Sequence, residues 1–260
     1  RTSGQTTHTH HLAVGNSPYR INIGTNRYEA YMKHAFILDP THGTNIALMG
    51  NMSIHEQKAD YGIKHYDVNE KNAYASLMFE TNIAEVHNLS AGLSLNHDYL
   101  RQNLMLTSSS AIPSDYGNLY PLINNVESET TPGAYIQYTY NLHNRFIAMA
   151  GLRIDHSSVY GTFVTPRFHV KWMPTDFITL RLSAGKGYRS PHALAENNYL
   201  MASGRRLMID SQLKQEAAWN YGTSVAFNIP ILNKTLKLNA EYYYTNFENQ
   251  TIIDYDSNPL

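Results

Sequence analysis

The sequence predicts an all-β chain, a segment of an antiparallel transmembrane β-barrel with about ten strands, short periplasmic turns and long outer loops. Three observations lead there. Apolar and polar residues alternate with period two over long stretches, as in strands with one apolar and one polar face. The stretches come in pairs, with a short connection inside each pair and usually a longer one between pairs. Their length suits a tilted crossing of about 9–11 residues. Strands of soluble proteins average nearer ~5–6 residues.

Composition removes several classes. The chain has 260 residues, 42% hydrophobic, and its mean hydropathy is -0.41. It holds no run of about 18 apolar residues, so no helical span is expected. Net charge is -1, so no global field favours nucleic acid. Cysteine is absent, which excludes a disulfide framework and a cysteine zinc site. The chain opens on Arg1 without a signal peptide and closes at Asn258-Pro259-Leu260, just past a strand pattern. Residues 1–260 are therefore expected to be one partial barrel, an internal fragment of a longer protein.

Taken in order, Arg1–Ser17 is polar and reads as the end of a loop with room for a short strand. Tyr28–Leu38 alternates, with His34 breaking its apolar face. Asp39–Gly43 is a turn by composition, and Asn45–His55 resumes the alternation. Glu56–Asn69 is expected as a polar connection. Lys71–Glu80 turns through Asn82–His87 into Leu89, Ala91, Leu93 and Leu95, interleaved with Asn88, Ser90, Gly92 and Ser94. Arg101–Thr130, rich in Ser, Asn, Pro and Gly, is the longest expected connection. Ala134–Leu142 and Phe146–Ile154 pair around His143-Asn144. His156–Thr162 connects to Val164–Trp172, and Pro174–Asp176 turns into Ile178–Ala184. After a second long loop, Ala217–Phe227 and Leu236–Tyr244 pair across Ile229–Lys234. The short turns belong at one end of the sheet and the long loops at the other. Tyr138, Tyr140, Trp172, Tyr242 and Tyr244 suit interfacial girdles, or are simply aromatics with good β propensity.

The most informative stretch is Leu180–Gly204. Leu180, Leu182 and Ala184 alternate with Arg181, Ser183 and Gly185, and the strand then meets Pro191, which has no N–H for a ladder. A short helix is expected within Pro191–Tyr199. Arg181-x-Ser183-x-Gly185-x-Gly187-Tyr188-Arg189-x-Pro191, with Glu196 beyond it, resembles the strand-to-loop signature of TonB-dependent outer-membrane receptors. Leu213-Lys214-Gln215-Glu216 with Trp219-Asn220-Tyr221-Gly222 resembles the next strand of that family, with Gln215 where Pro is common. Tyr242–Phe247 with Asn249 and Ile252 resembles the one after. Gly151–Asp155 and Thr165–Phe168 fit upstream. The likeness covers roughly Thr131–Ile253, and the first half follows by pattern alone.

The resemblance implies a receptor in the outer membrane of a Gram-negative bacterium. Such receptors actively import a scarce ligand, foremost a metal chelate such as a ferric siderophore, haem or cobalamin. It implies as partners the receptor's own plug domain and remaining barrel strands, outer-membrane lipid, TonB through the missing N-terminal part, and a small-molecule ligand, but no nucleic acid. A full barrel of this kind has about twenty-two strands, so the chain is about half of one. Neither a cofactor nor catalysis is expected: His192 and Glu196 lack a completing acid or an H-E-x-x-H pattern. A passive porin and a soluble β-rich binding module are the alternatives.

Candidate site residues follow from the loops. Arg205, Arg206, His192 and Tyr199, in the long loop Arg189–Gln212, are expected to meet an anionic, partly aromatic ligand; the alternative is a loop that only protects the mouth. His8, His10 and His11 are candidate metal ligands, because His8 and His10 share a face in an extended chain; the alternative is plain polar loop histidines. Arg153, Arg167 and Arg181 fall on polar strand faces that point inward in a barrel, either toward a plug or toward a solvated lumen. Gly185 and Gly187 are expected where a side chain would crowd the interior.

Overall fold

The structure, a computed structural model, describes residues 4–10, 19–106, 123–202, 209–210, 212–232 and 234–254. Eleven strands form one sheet in strict sequence order, every neighbour antiparallel. They are β1 (Gly4–His10), β2 (Tyr19–Asp39), β3 (Thr44–Tyr61), β4 (Lys64–Ile83), β5 (His87–Leu106), β6 (Ile123–Leu142), β7 (Phe146–Ser157), β8 (Gly161–Thr175), β9 (Ile178–Arg189), β10 (Glu216–Ile231) and β11 (Lys234–Asn249). A meander of this kind sends successive connections to alternate ends. The five short turns, β2–β3, β4–β5, β6–β7, β8–β9 and β10–β11, therefore share one rim, and the two long loops share the other, as the connection lengths predict. Among the described residues β1 and β11 pair on one side only, so the sheet is an open segment of wall.

The strands are longer than expected. The stretch Glu56–Asn69, read as a connection, is strand on both sides of a tight turn, with Glu56 opposite Asn69 and Tyr61 opposite Lys64. Gly62 makes that turn possible with φ +65, a conformation that costs other residues a steric penalty. Pairing likewise invades Arg101–Thr130, to Leu106 on β5 and from Ile123 on β6, and His156–Thr162, to Ser157 and from Gly161. These extensions lie beyond the lipid, where the outer face need not be apolar, so the alternation that marks the membrane-spanning part does not carry over to them.

Within the membrane the faces follow the pattern. Leu93 is 61% exposed on the outer face, while its neighbour Ser94 is 8% exposed on the inner one. Register lines up an outward apolar band: Tyr28, Ile54 and Tyr99 share one rung, and Phe36, Ile46, Phe79 and Ala91 share another below it. From Tyr28 to Leu38, at ~3.3 Å per residue and ~40° tilt, the band is roughly 25 Å tall, the height of a barrel's lipid belt. Aromatic residues border it. Tyr140 meets His87 and Phe146 near the short-turn rim, and Trp219, Tyr221 and Tyr244 stack toward the other. No helix among the described residues is long and apolar enough to cross a membrane; strands do the crossing.

Interior crowding falls on different glycines from those expected. Gly187 faces open space, and a Cβ on Gly185 would meet nothing closer than 3.4 Å. Tight positions on the inner face include Gly92, where a Cβ would lie 2.5 Å from the Tyr135 ring, Gly133, where it would strike the Asp155 carboxylate that pairs with Arg153, and Gly222, where it would lie 2.6 Å from Ser183 Oγ. Crowding is set by which cross-strand side chain leans over the glycine, so Gly222 of the Trp219–Gly222 motif is crowded by Ser183 while Gly185 and Gly187 are not.

A latched loop as candidate ligand-entrance site

The β9–β10 connection does not stand away from the barrel. After Pro191 it forms a single helical turn, α1 (Ala193–Glu196), and a 3₁₀ turn (Asn198–Ala202), as the expected short helix requires. These turns fold inward and bury Leu194 and Met201 against Ala59, Tyr61, Tyr66, Val68, Leu100 and Leu104. Those partners lie on the inner face of the β3–β5 extensions. An apolar patch at that height has no lipid to face, so covering it with Leu194 and Met201 removes it from water.

Polar contacts fix the loop's position. Tyr19 donates to the Ala202 carbonyl (3.0 Å), Lys64 to the Met201 carbonyl (2.7 Å), and Tyr61 to the Asn198 side chain (2.7 Å). The loop's near end is held by Arg189, whose guanidinium contacts Glu216 at 2.6 Å and Glu196 at 3.0 Å. Its centre is held by His192. Nδ1 lies 2.8 Å from Glu127 of β6, and Nε2 lies 3.4 Å from Asp98 of β5. The Asp98 and Glu127 carboxylates outweigh the burial of the imidazole and push His192 up to about 10, so it is a cation at neutral pH. Burial pulls the Lys64 amine down to about 8. Glu127 also accepts from Gln102 (3.1 Å), which in turn accepts from the buried Tyr66 (2.7 Å). The loop is thereby wired into the wall.

The expected site residues separate on this frame. His192 is a latch within the wall. Tyr199 is 55% exposed at the loop surface. Arg205 and Arg206 lie outside the described residues, a few positions past the pinned 3₁₀ turn. His8 and His10 occupy register positions opposite Ile21 and Tyr19, while their side chains, and His11 as a whole, lie outside what the structure describes. Among the described residues no group of three or more His, Asp or Glu is arranged to hold a metal ion. Arg153 is neutralised within the wall by Asp155 (2.5 Å) and bonds Ser94 (2.7 Å). Arg167 and Arg181 have no ion pair among the described residues. Sequence reasoning missed Asp98 and Glu127. Their only signal was two carboxylates inside a stretch read as strand end and loop.

The model of the TonB-dependent receptor-like β-barrel family matches residues 3–260. The chain belongs to that family. Membership places it in the outer membrane of a Gram-negative bacterium and makes it part of a receptor, not an enzyme. It sets aside the porin and the soluble module. Solved structures of the same fold include the FrpB iron transporter from Neisseria meningitidis, at 18% identity and TM-score 0.57, over 88% of this chain and 37% of that one. The copper transporter OprC matches at 12% identity and TM-score 0.62, over 88% of this chain and 42% of its own. The alcaligin outer-membrane receptor FauA from Bordetella pertussis matches at 13% identity and TM-score 0.57, over 92% and 40%. The chain thus spans well under half the length of these structures. No curated protein sequence matches it.

Proposed function

We propose that this chain is part of the barrel wall of a receptor that takes up a metal chelate and imports it actively, with TonB as energy source and a plug domain in the rest of the protein. The observation that carries the reading is the inward-folded β9–β10 loop. Its latch to β5 and β6 leaves Tyr199 at the surface of the mouth, and Arg205 and Arg206 follow within a few residues. A guanidinium pair beside an aromatic ring suits an anionic chelate with aromatic donors. The metal-transport names of the structural neighbours agree with a metal ligand. In this reading His192 acts by holding the loop, and Arg167 and Arg181 face acids of the plug. His8, His10 and His11 are kept as candidate metal ligands at the β1 edge.

Uptake by cells carrying the complete receptor tests this. Loss of the receptor or of TonB should abolish accumulation of a ferric chelate and growth under iron limitation. Arg205→Ala with Arg206→Ala should weaken chelate binding roughly a hundredfold or more, since each of two lost charge-assisted bonds costs ~1.5–3 kcal/mol. Migration on a gel should remain heat-modifiable. Accumulation that persists without TonB would overturn the active-import reading. Unchanged chelate binding by an assembled double variant would remove the two arginines from the site.

A further inference from the structure

A concavity lies on the side of the wall opposite the docked β9–β10 loop. It has a volume of about 740 Å³ and is lined mainly by outward-facing residues of β2–β5. Register places it on two rungs, Asn26–Glu56–Asn69–Arg101 and Gly24–Lys58–Asp67–Asn103. The rung directly beneath is Tyr28–Ile54–Lys71–Tyr99, the top of the lipid belt, with its two interfacial tyrosines. The concavity therefore sits at the height of the outer-leaflet headgroups, outside the barrel and away from any import path.

Its chemistry is specific. Lys58, Lys71 and Arg101 line it and make no ion pair among the described residues, unlike Arg145, Arg153, Lys186 and Arg189 elsewhere. The three cations, spread over about 13 Å of strand, outnumber the Glu56 and Asp67 carboxylates that share the lining, and a bound anion balances the remaining positive charge. Between them stand Asn26, Asn69, Asn103, Glu56 and Asp67, amides and carboxylates suited to sugar hydroxyls. Gly24 leaves open space where a side chain would otherwise project. The volume falls in the range of small-molecule sites, which run to about 300–1,000 Å³.

We propose that this outer pocket binds the phosphorylated sugar headgroup of an outer-leaflet lipid, with Lys58, Lys71 and Arg101 on the phosphates and the asparagines on the sugar. The lipid is favoured over a free sugar phosphate because Tyr28, Ile54 and Tyr99 continue the pocket directly into the acyl-chain band. The complete receptor in nanodiscs tests it, with native mass spectrometry counting retained lipid A, the phosphorylated glucosamine disaccharide lipid of such leaflets. Each cation beside an anionic surface is worth roughly fivefold in affinity, so Lys58→Ala, Lys71→Ala and Arg101→Ala together should lower retention about a hundredfold. Lys58→Arg with Lys71→Arg should retain lipid as the unaltered receptor does. Arg145→Ala, at the opposite rim, should change nothing. Dephosphorylated lipid A should be lost from the unaltered receptor to the same extent, a comparison that needs no variant to fold. Equal retention of both lipid forms, or retention unchanged in the triple variant, would overturn the proposal. Glucosamine phosphate without acyl chains, binding the detergent-purified receptor as tightly as the lipid, would replace the lipid by a free sugar phosphate.

Discussion

Replacing His192 by Ala removes the cation that joins the β9–β10 loop to β5 and β6. Two contacts are lost, 2.8 Å to Glu127 and 3.4 Å to Asp98. Hydrogen bonds to charged groups contribute ~1.5–3 kcal/mol, and the longer contact belongs at the low end. The variant also leaves two carboxylates facing each other without a counter-charge. Loop docking should therefore weaken by roughly 3 kcal/mol, about a hundredfold in the opening equilibrium. Hydrogen exchange of the amides of 194–202 in the assembled receptor reads that opening. The pH dependence is a second, sharper readout. His192 is raised from 6.5 to about 10 in the docked state, so its contribution is complete below about 6.5 and is lost as pH rises toward 10. Lys64 works against it. Its amine is lowered to about 8, so docking gains from rising pH above that value and the two slopes cancel. The informative window is thus pH 6.5 to 8, where docking should weaken by roughly 2 kcal/mol beyond the intrinsic change in exchange. His192→Ala should abolish that slope, and His192→Lys should restore part of the protection at neutral pH. An alanine variant with unchanged protection and an unchanged slope would refute the latch.

Two further expectations follow from the wall itself. Leu93→Arg places a charge near mid-membrane on the lipid face and should cost ~2–4 kcal/mol of barrel stability, while Asn96→Arg, one strand face over and toward the lumen, should assemble nearly normally; equal assembly defects in a membrane-fraction assay would reverse the inside–outside assignment. Gly92→Ala should cost ~1–3 kcal/mol and Gly92→Val more, because a Cβ meets the Tyr135 ring at 2.5 Å and the Leu77 carbonyl at 2.8 Å; a urea midpoint equal to that of the unaltered receptor would show that Tyr135 moves aside freely.

The membrane-spanning part of the fold was legible because lipid enforces it. A residue such as Leu93 has no alternative environment, so period-two alternation survives and fixes both strand and face. That constraint ends at the rung of Tyr28 and Tyr99. Above it Glu56, Lys58, Asp67 and Asn69 are polar on the outer face, while Ala59, Tyr66 and Leu104 are apolar on the inner face, the reverse of the order within the membrane. A reading that equates apolar with outward cannot follow that inversion, and Glu56–Asn69 looked like a loop. The inversion has a cause only once the β9–β10 loop is in place: Leu194 and Met201 need an apolar partner inside the mouth. The same change of sign leaves the outer face free to carry Lys58 and Arg101 just above Lys71, which stands on the last rung of the belt. The loop's inward fold and the charged outer pocket are thus two sides of one switch in face polarity, made by β3, β4 and β5 as they leave the lipid. A substitution that unseated the loop, such as Met201→Asp, should expose Tyr66 and Leu104 to water and leave the outer pocket intact, because the paired backbones of β3–β5 hold the two faces independently.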